Sequence, residues 1–451
     1  MILKPMKHQL KTMKLMDSTD ILYDMSDPGT GKTFVQISAY IKRIKKDPHC
    51  ALIIAPKTLL RTTWEDEFKK LAPQIVCSVA VAENREKAFA AKADVYITNT
   101  DAVVWLVKQK PAFFKRFGTL VIDEVSSFKH VTSGRSKALN KIKKYFKYRS
   151  VLSGTPNSNT ICDVHNPVAI LDDGKRLGQS FYGFRSSVCA PEQIGPSPNM
   201  LKWHDKEGAE EVVYGLIADI TIRHKFSDCI DIPETSHRSL TYHLTTKQKK
   251  VYLDMEKTQV ALLKKDIVVS AINAAVVANK LLQIASGAVY ESTDNYHIVD
   301  TGRYEMIMDL VEERHHPLVF FLWRHQRDEL VKLAETRGLK YCVIDGNASS
   351  KERDDMVRHY QAGFYDVMFA HPKSAAHGLT LTRGSLIIWA SPTYDLEAWM
   401  QGNARQARKG QLNKTEIIGI LAEGTIEMKV YERLMEKNSR MFNLLNLFEG
   451  M

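Results

Sequence analysis

The sequence predicts an α/β protein of two lobes, each a parallel sheet wrapped by crossover helices, with helical material inserted between them. Three observations predict it. Short apolar or β-branched runs alternate with amphipathic segments through the first third of the chain, the same rhythm resumes after Pro317, and 451 residues exceed what one ordinary core organises.

In the first third, ILYDM, ALIIAP, DVYITN and TLVIDE read as strands. FVQISAYIKRIKK and the stretch around Trp64–Leu71 read as the helices between them. Parallel strands joined this way place functional loops at their carboxyl ends. After SVLSGTP (Ser150–Pro156) the pattern changes. Asn157–Lys225, with GQSFYGF, APEQIGPSP and EEVVYGLIADITIRHK, reads as a mostly helical insertion with a loop near Pro191–Pro198. CIDIPE (Cys229–Glu234) marks a linker, and a helical stretch runs from about Thr246 to Ile284, broken into more than one helix. LVFFLW, YCVIDG, VMFAH, LIIWAS and EIIGILA supply the second sheet. The expected organisation is a first lobe at 1–230, with its insertion at about 157–225, and a second at 231–451. The second carries a helical insertion at about 246–290 and a closing helix at about 425–448. There is no repeat at solenoid spacing and no low-complexity tail.

Lys and Arg number 63 against 52 Asp and Glu, a net charge of +11 that favours a polyanionic partner. The six cysteines, Cys50, Cys77, Cys162, Cys189, Cys229 and Cys342, form no CxxC pair and have no histidine at ligand spacing. Reduced thiols and no structural metal are expected. The N-terminal MILKPMKHQL lacks the apolar core of a signal peptide, and runs such as Leu318–Trp323 are too short for a bilayer. An intracellular, soluble protein without a membrane partner is expected.

SDPGTGKT (Ser26–Thr33) follows a strand and precedes a helix. Gly29 and Gly31 let backbone N–H groups approach phosphates, Lys32 reaches the β and γ phosphates, and Thr33 can ligate Mg2+. The strict G-x-x-x-x-G-K-T pattern fails at its first position, Ser26, and the alternative is a glycine-rich turn with a solvent lysine. TLVIDEV (Thr119–Val125) ends a buried strand in two carboxylates. Alone, such a pair suits a solvated turn; beside a phosphate loop, Asp123 reads as the Mg2+ partner and Glu124 as the base that orients the attacking water. In QGNARQARKGQ (Gln401–Gln411), Arg405 and Arg408 are spaced to share a helical face and reach the terminal phosphate as the two halves close on it. The alternative is a basic face that contacts a phosphate backbone. Lys42–Lys46 and Lys137–Arg149, with Tyr145, Phe146 and Tyr148 interleaved, suit a nucleic-acid track or a solvated face.

The order of these motifs resembles superfamily 2 helicases, and within them the Swi/Snf-type branch, over nearly the whole chain. The resemblance implies two RecA-like lobes, an ATP and Mg2+ requirement, and DNA as partner. PMKHQ, with Gln9, is similar to the adenine-sensing segment, and SDPGTGKT to the first motif, where a small residue such as Ser26 is common. Gln9, Asp27, Gly29, Thr30, Gly31, Lys32 and Thr33 would then hold ATP, with Gly378 of SAAHGLTLT (Ser374–Thr382). LIIAPKTLLRTTWEDEFKK (Leu52–Lys70) and ITNTD (Ile97–Asp101) resemble nucleic-acid motifs, which places Pro56, Lys57, Thr58, Thr98 and Asn99 on the polymer. VIDEVSSFKH carries the trailing Lys129 of the branch, and LSGTP (Leu152–Pro156), with Thr155, matches the motif that couples hydrolysis to nucleic acid. IRHKFSDCIDIPETSHRSLTYHLTTKQKKVY (Ile222–Tyr252) resembles the branch's connector into the second lobe. IDGNASSKERDDMVRHY (Ile344–Tyr360), Ser374 and QGNARQARKGQ complete that lobe in family order, and Gly424–Asn438 resembles the helix that braces the lobes.

Three residues depart from the branch pattern: Ser126 for histidine, His377 for glycine and Tyr394 for tryptophan. Relatives carry chromatin-reading, nuclease or zinc modules for which this chain has no room, so a minimal, monomeric motor on naked DNA is expected. It is similar to compact helicases of tailed bacteriophages, which act in the host cytoplasm on forked or branched DNA in replication, recombination or repair. The insertion, with Trp203, His204 and its proline-rich loop, is the candidate strand-splitting element, with ordinary lobe packing as the alternative. Alternatives to unwinding are a double-strand translocase that remodels protein–DNA complexes, a nucleotide-gated DNA clamp, which Ser126 keeps open, and more weakly an RNA helicase.

Overall fold

The computed structural model describes residues 4–195, 197–265, 271–292, 295–375 and 379–448. Two compact units form, Met1–Asp231 with Lys437–Met451, and Ile232–Glu436. The chain's last fifteen residues, read in sequence as part of the second lobe, thus group with the first unit.

The first unit contains β1 (Ile21–Asp24), β2 (Cys50–Ala55), β3 (Cys77–Ala80), β4 (Val95–Asn99), β5 (Phe117–Ile122), β6 (Tyr148–Leu152), β7 (Cys189–Gln193), β8 (Leu201–Asp205) and β9 (Thr221–Ile222). Seven of these make one parallel sheet in the order β3-β4-β2-β5-β6-β1-β9. Its central strands are apolar on both faces, as a sheet covered by helices requires: Ala51–Ala55 and Leu120–Ile122 are buried throughout. The carboxyl ends of β1, β2, β5 and β6 therefore line one edge, where the motif loops emerge.

The insertion is less helical than its sequence pattern predicts. Helices His165–Asp172, Phe181–Val188 and Ala209–Ile217 are present, but the expected loop near Pro191–Pro198 belongs in part to an antiparallel hairpin, β7 with β8. Pro191 pairs opposite Trp203 there, which a two-stranded ribbon tolerates because the edge needs no donor from proline. ITIRHK, read as helical, instead supplies β9 beside β1.

The second unit contains β10 (Thr235–Tyr242), β11 (Ala288–Tyr290), β12 (Tyr296–Ile298), β13 (Leu318–Phe320), β14 (Tyr341–Ile344), β15 (Val367–Ala370), β16 (Leu386–Trp389) and β17 (Thr415–Ala422). Six form a parallel sheet in the order β10-β17-β16-β13-β15-β14, and β11 and β12 make a small hairpin. The helices Thr246–Lys265 and Ala271–Ala285 occupy the stretch read as broken helix. The closing helix spans Ile426–Leu447. No helix among the described residues is long and apolar enough to cross a membrane.

Candidate nucleotide site and nucleic-acid surfaces

β1 ends at Asp24, whose buried carboxylate accepts the Ser26 amide at 2.9 Å. The following loop runs beside the segment after β9: the Met25 amide bonds the Ile222 carbonyl (2.9 Å) and the Asp27 amide that of His224 (3.0 Å). Asp27, expected at the nucleotide, directs its carboxylate elsewhere. It accepts the buried Arg223 guanidinium at 2.6 Å and the Phe226 amide at 2.9 Å, so this acid braces the loop. Gly29 and Gly31 adopt φ of +87° and +83°, and a Cβ on Gly31 would lie 2.3 Å from Gln9 Nε2. Only glycine satisfies both demands at once. Gln9 lies against the loop, its Nε2 donating to the Thr30 carbonyl at 3.4 Å and its Oε1 accepting the Met6 amide at 2.9 Å.

The helix Lys32–Ile44 starts at this turn, with Thr33 in its first turn. The Lys32 ammonium donates to the carbonyls of Ser26 (2.6 Å) and Asp27 (3.1 Å), which holds it over the loop. Asp123 follows β5, its amide bonded to the Ile54 carbonyl at 2.8 Å. Its carboxylate accepts the Trp64 indole N–H (3.0 Å) on one oxygen and the Glu124 amide (3.1 Å) on the other. Burial pushes the Asp123 carboxyl above its usual range, against the pull of the Lys32 ammonium, the Trp64 indole and the Glu124 amide, while Asp24 pushes it further up. Glu124 adopts φ +51°, a left-handed conformation that costs a non-glycine residue about 1–2 kcal/mol and turns the chain sharply off the strand end.

These residues fit a magnesium nucleotide. Asp24 and Asp123 are both buried and repel one another, and the Lys32 ammonium only partly offsets the cost of ionising Asp123, so a divalent cation would be favoured beside it. The side chains available to it, Asp123 and Thr33, offer only oxygen, the donor type that a hard cation takes.

Arg405 and Arg408 belong to the second unit. They do not share a helical face: the helix Leu396–Asn403 ends before them, and residues 404–410 form irregular turns that close with Gly410 at φ +101°. Both guanidiniums nevertheless meet, each donating to the Leu379 carbonyl, at 3.3 and 3.0 Å. Arg405 also donates to the Gln401 carbonyl (2.7 Å) and is 3% exposed, whereas Arg408 is half-buried and reaches Thr380 Oγ1 (3.2 Å). Gly378 and His377 lie outside the described residues.

The nucleic-acid candidates divide. Pro56, Lys57 and Thr58 sit in a tight turn directly after β2, with the Lys57 side chain 69% exposed. Asn99 ends β4, half-buried, and bonds Arg85 and Asp101. Thr98 is fully buried instead, its hydroxyl donating to the Ala80 carbonyl of the neighbouring strand at 2.7 Å, because β4 is covered on both faces through Thr98. Lys129 is also turned inward, donating to Ser158 Oγ (3.0 Å) and pairing with Asp163 (3.6 Å), and Thr155 is 5% exposed. Much of the basic strip at Lys137–Arg149 is tied within the fold. Lys143 and Arg149 pair with Asp173, and Lys147 with Asp47, at the amino ends of the strands, opposite the motif loops. In the second unit a groove of about 550 Å³ at the carboxyl ends of β13, β14 and β15 is lined by Trp323, Arg324, Arg327, Asn347, His371 and Ser374.

Sequence reasoning missed Trp64, Arg223 and Phe226, which hold the site from behind. Trp64 reads as one more apolar residue of an amphipathic segment, and Arg223 lies nearly two hundred residues from the loop it braces, so neither leaves a local signal.

Comparison with known proteins assigns residues 14–287 to the SNF2-related domain and residues 302–410 to the helicase conserved C-terminal domain. Protein p41 of Acyrthosiphon pisum secondary endosymbiont phage 1 is 29% identical over 434 residues, which cover 91% of each chain. The ISWI chromatin-remodeling complex ATPase ISW2 of Saccharomyces cerevisiae is 25% identical over 91% of this chain, which spans 38% of the yeast protein's length. The solved Sulfolobus solfataricus SWI2/SNF2 ATPase core in complex with dsDNA aligns over 98% of this chain and 95% of its own, with 22% identity and a TM-score of 0.45. The two parallel sheets are two RecA-like lobes, and because the SNF2-related domain covers more than half of its length, the chain belongs to the SNF2-related family of helicase-type ATPases.

Proposed function

We propose that this chain is an ATP-driven DNA motor that separates strands at forks and branch points. One observation carries the reading. Lys32, the Asp123–Glu124 pair and the exposed Lys57 turn all emerge at the carboxyl ends of strands of one sheet, so a phosphate-binding device and a backbone-binding loop share an edge.

Bound ATP with Mg2+ supplies the γ-phosphoryl group and the divalent charge that offsets Asp24 and Asp123. Lys32 neutralises the β and γ phosphates, Thr33 and Asp123 hold the metal, and Gln9 meets the adenine. Glu124 orients the attacking water and accepts its proton. Arg408 stabilises charge on the γ-phosphate oxygens while the buried Arg405 braces the turn that carries it, which makes turnover conditional on the second unit. Pro56, Lys57, Thr58 and Asn99 grip the DNA backbone on the first unit, and Ser374 does so on the second. The chain works as a monomer.

The β7–β8 hairpin is the strand-splitting element. Ile194 and Leu201 near its turn are 51% and 39% exposed, and Trp203 on its stem is stacked on the Arg185 guanidinium at 4.0 Å. Similarity to the chromatin-remodeling ISW2 supports a second reading, a translocase that moves along duplex and remodels protein–DNA complexes without separating strands.

ATP-dependent displacement on a plain duplex, a fork and a four-way junction tests the choice, with Glu124→Gln as the inactive control. Displacement that favours branched substrates is expected. DNA-stimulated hydrolysis without displacement on any substrate transfers the assignment to the remodelling translocase, and full hydrolysis in Lys32→Ala overturns the site itself.

A further inference from the structure

Trp64 is 1% exposed and belongs to the same apolar cluster as Ile53, Leu60, Phe68 and Val121. It sits in a π-helical turn, Leu60–Glu65, where the Asp66 amide reaches back five residues to the Arg61 carbonyl. Such a turn inserts one residue into the helical count, rotates the succeeding residues by about 100°, and is frequent at functional sites. The turn begins two residues after Thr58, so it joins the expected backbone-gripping loop to the acidic motif. The one polar atom of Trp64, Nε1, donates to Asp123 Oδ2 at 3.0 Å, while Oδ1 takes the Glu124 amide at 3.1 Å. Two donors on two different oxygens hold the carboxylate against rotation about its Cβ–Cγ bond and leave each oxygen acceptor capacity to spare.

We propose that Trp64 is a positioning residue, whose indole N–H sets the Asp123 carboxylate in the orientation that receives the metal of the magnesium nucleotide. The proposal rests on Asp123 being the metal ligand. A buried tryptophan N–H usually finds an acceptor wherever it lies, so the bond alone assigns no role. Here the acceptor is the one carboxylate of the strand-end pair that the chemistry assigns to the metal. Partners that orient a ligating carboxylate typically account for about ten- to hundred-fold in metal affinity.

The test replaces the N–H and keeps the ring. β-(3-benzothienyl)alanine at position 64 has sulfur in place of the indole N–H at nearly the same volume, and Trp64→Phe is the genetically simple counterpart. Equilibrium binding of a fluorescent ATP analogue is measured with Mg2+ and with EDTA. The expected result is unchanged affinity in EDTA and a loss of about ten-fold in the gain that Mg2+ provides. An undiminished Mg2+ gain in the benzothienyl protein overturns the proposal, and so does an equal loss with and without metal, which marks a purely core role. Asp123→Asn separates the two layers. If it retains the Mg2+ gain, the ligand assignment fails; if it loses the gain and both Trp64 replacements keep it, only the role of Trp64 fails.

Discussion

Arg405 and Arg408 converge on one carbonyl, Leu379, and burial divides their work. Arg405 is 3% exposed and also holds the end of its preceding helix through the Gln401 carbonyl, so its charge is committed to the fold. Arg408 is half-buried, and Leu379 keeps a donor if it is lost. Arg405→Ala is expected to lower stability by about 2–3 kcal/mol in urea unfolding, the range for removing a buried charged donor from two acceptors. Arg408→Ala is expected to shift stability by less than about 1 kcal/mol and to retain nucleotide binding. It should lose about 1000-fold or more in kcat, as for a guanidinium that acts on the transition state. The opposite pattern, turnover lost in Arg405→Ala at an unchanged unfolding midpoint, would exchange the two roles. A similar split holds at the phosphate loop. Gly31→Ala adds a Cβ 2.3 Å from Gln9 Nε2 at a φ of +83°, and is expected to weaken nucleotide binding and to cost about 1–2 kcal/mol of stability, both measurable by titration and melting.

At the scale of elements, the β7–β8 hairpin is fastened to the segment that follows the coupling motif, where Asp205 and the Cys162–Cys189 thiol contact (3.3 Å) both contribute. Asp205, at the end of β8, accepts the Thr160 hydroxyl and the Ile161 amide, the latter at 3.1 Å. Asp163, three residues on from Thr160, accepts the Asn159 amide at 3.0 Å and pairs with Lys129 of the acidic motif at 3.6 Å. A chain of polar contacts thus runs from the acidic motif to the hairpin stem. Asp205→Ala removes two of these bonds, worth about 1–3 kcal/mol, so amide exchange across Cys189–Asp205 should accelerate by roughly ten- to hundred-fold. Strand displacement should fall with it while DNA-free hydrolysis persists; unchanged exchange would show that the stem is held elsewhere. The sequence made the central strands legible because they are continuous apolar runs, and the phosphate loop because strand, glycines, lysine and helix are consecutive. It hid β10, where five of eight residues are exposed along the sheet edge, and β9, which is two residues long. Pro191 disguised the hairpin as a loop. Motif spacing named Thr98 and Lys129 without saying which way they point, and the covering of β4 on both faces leaves Thr98 bonded to the Ala80 carbonyl. The arginine pair looked helical by spacing, yet the helix stops at Asn403 and the shared Leu379 carbonyl, contributed from a distant loop, brings the two side chains together.

For the molecule as a whole, stability in mild acid depends on a histidine far in sequence from the phosphate loop and the acidic pair. His325 is fully buried in the second unit, where its ring nitrogens bond Ser286 Oγ (3.1 Å) and the Tyr290 hydroxyl (3.0 Å). Burial, reinforced by the nearby Arg303 guanidinium and opposed by the Ser286 carbonyl and Asp328, lowers its pKa to about 3. In the unfolded chain the same imidazole titrates near 6.5, so between the two values the unfolded chain binds a proton that the folded unit refuses. The contribution is therefore complete above about pH 6.5 and falls by about 1.4 kcal/mol per pH unit below it, reaching roughly 2 kcal/mol lost at pH 5. Burial also lowers the pKa of His371 in the same unit, which adds to the slope in the same direction. His325→Gln removes the titration, so wild type minus variant isolates it: unfolding free energies measured from pH 8 to pH 5 should draw together as the pH falls. A constant difference across that range would mean that the folded imidazole accepts its proton as readily as the unfolded one.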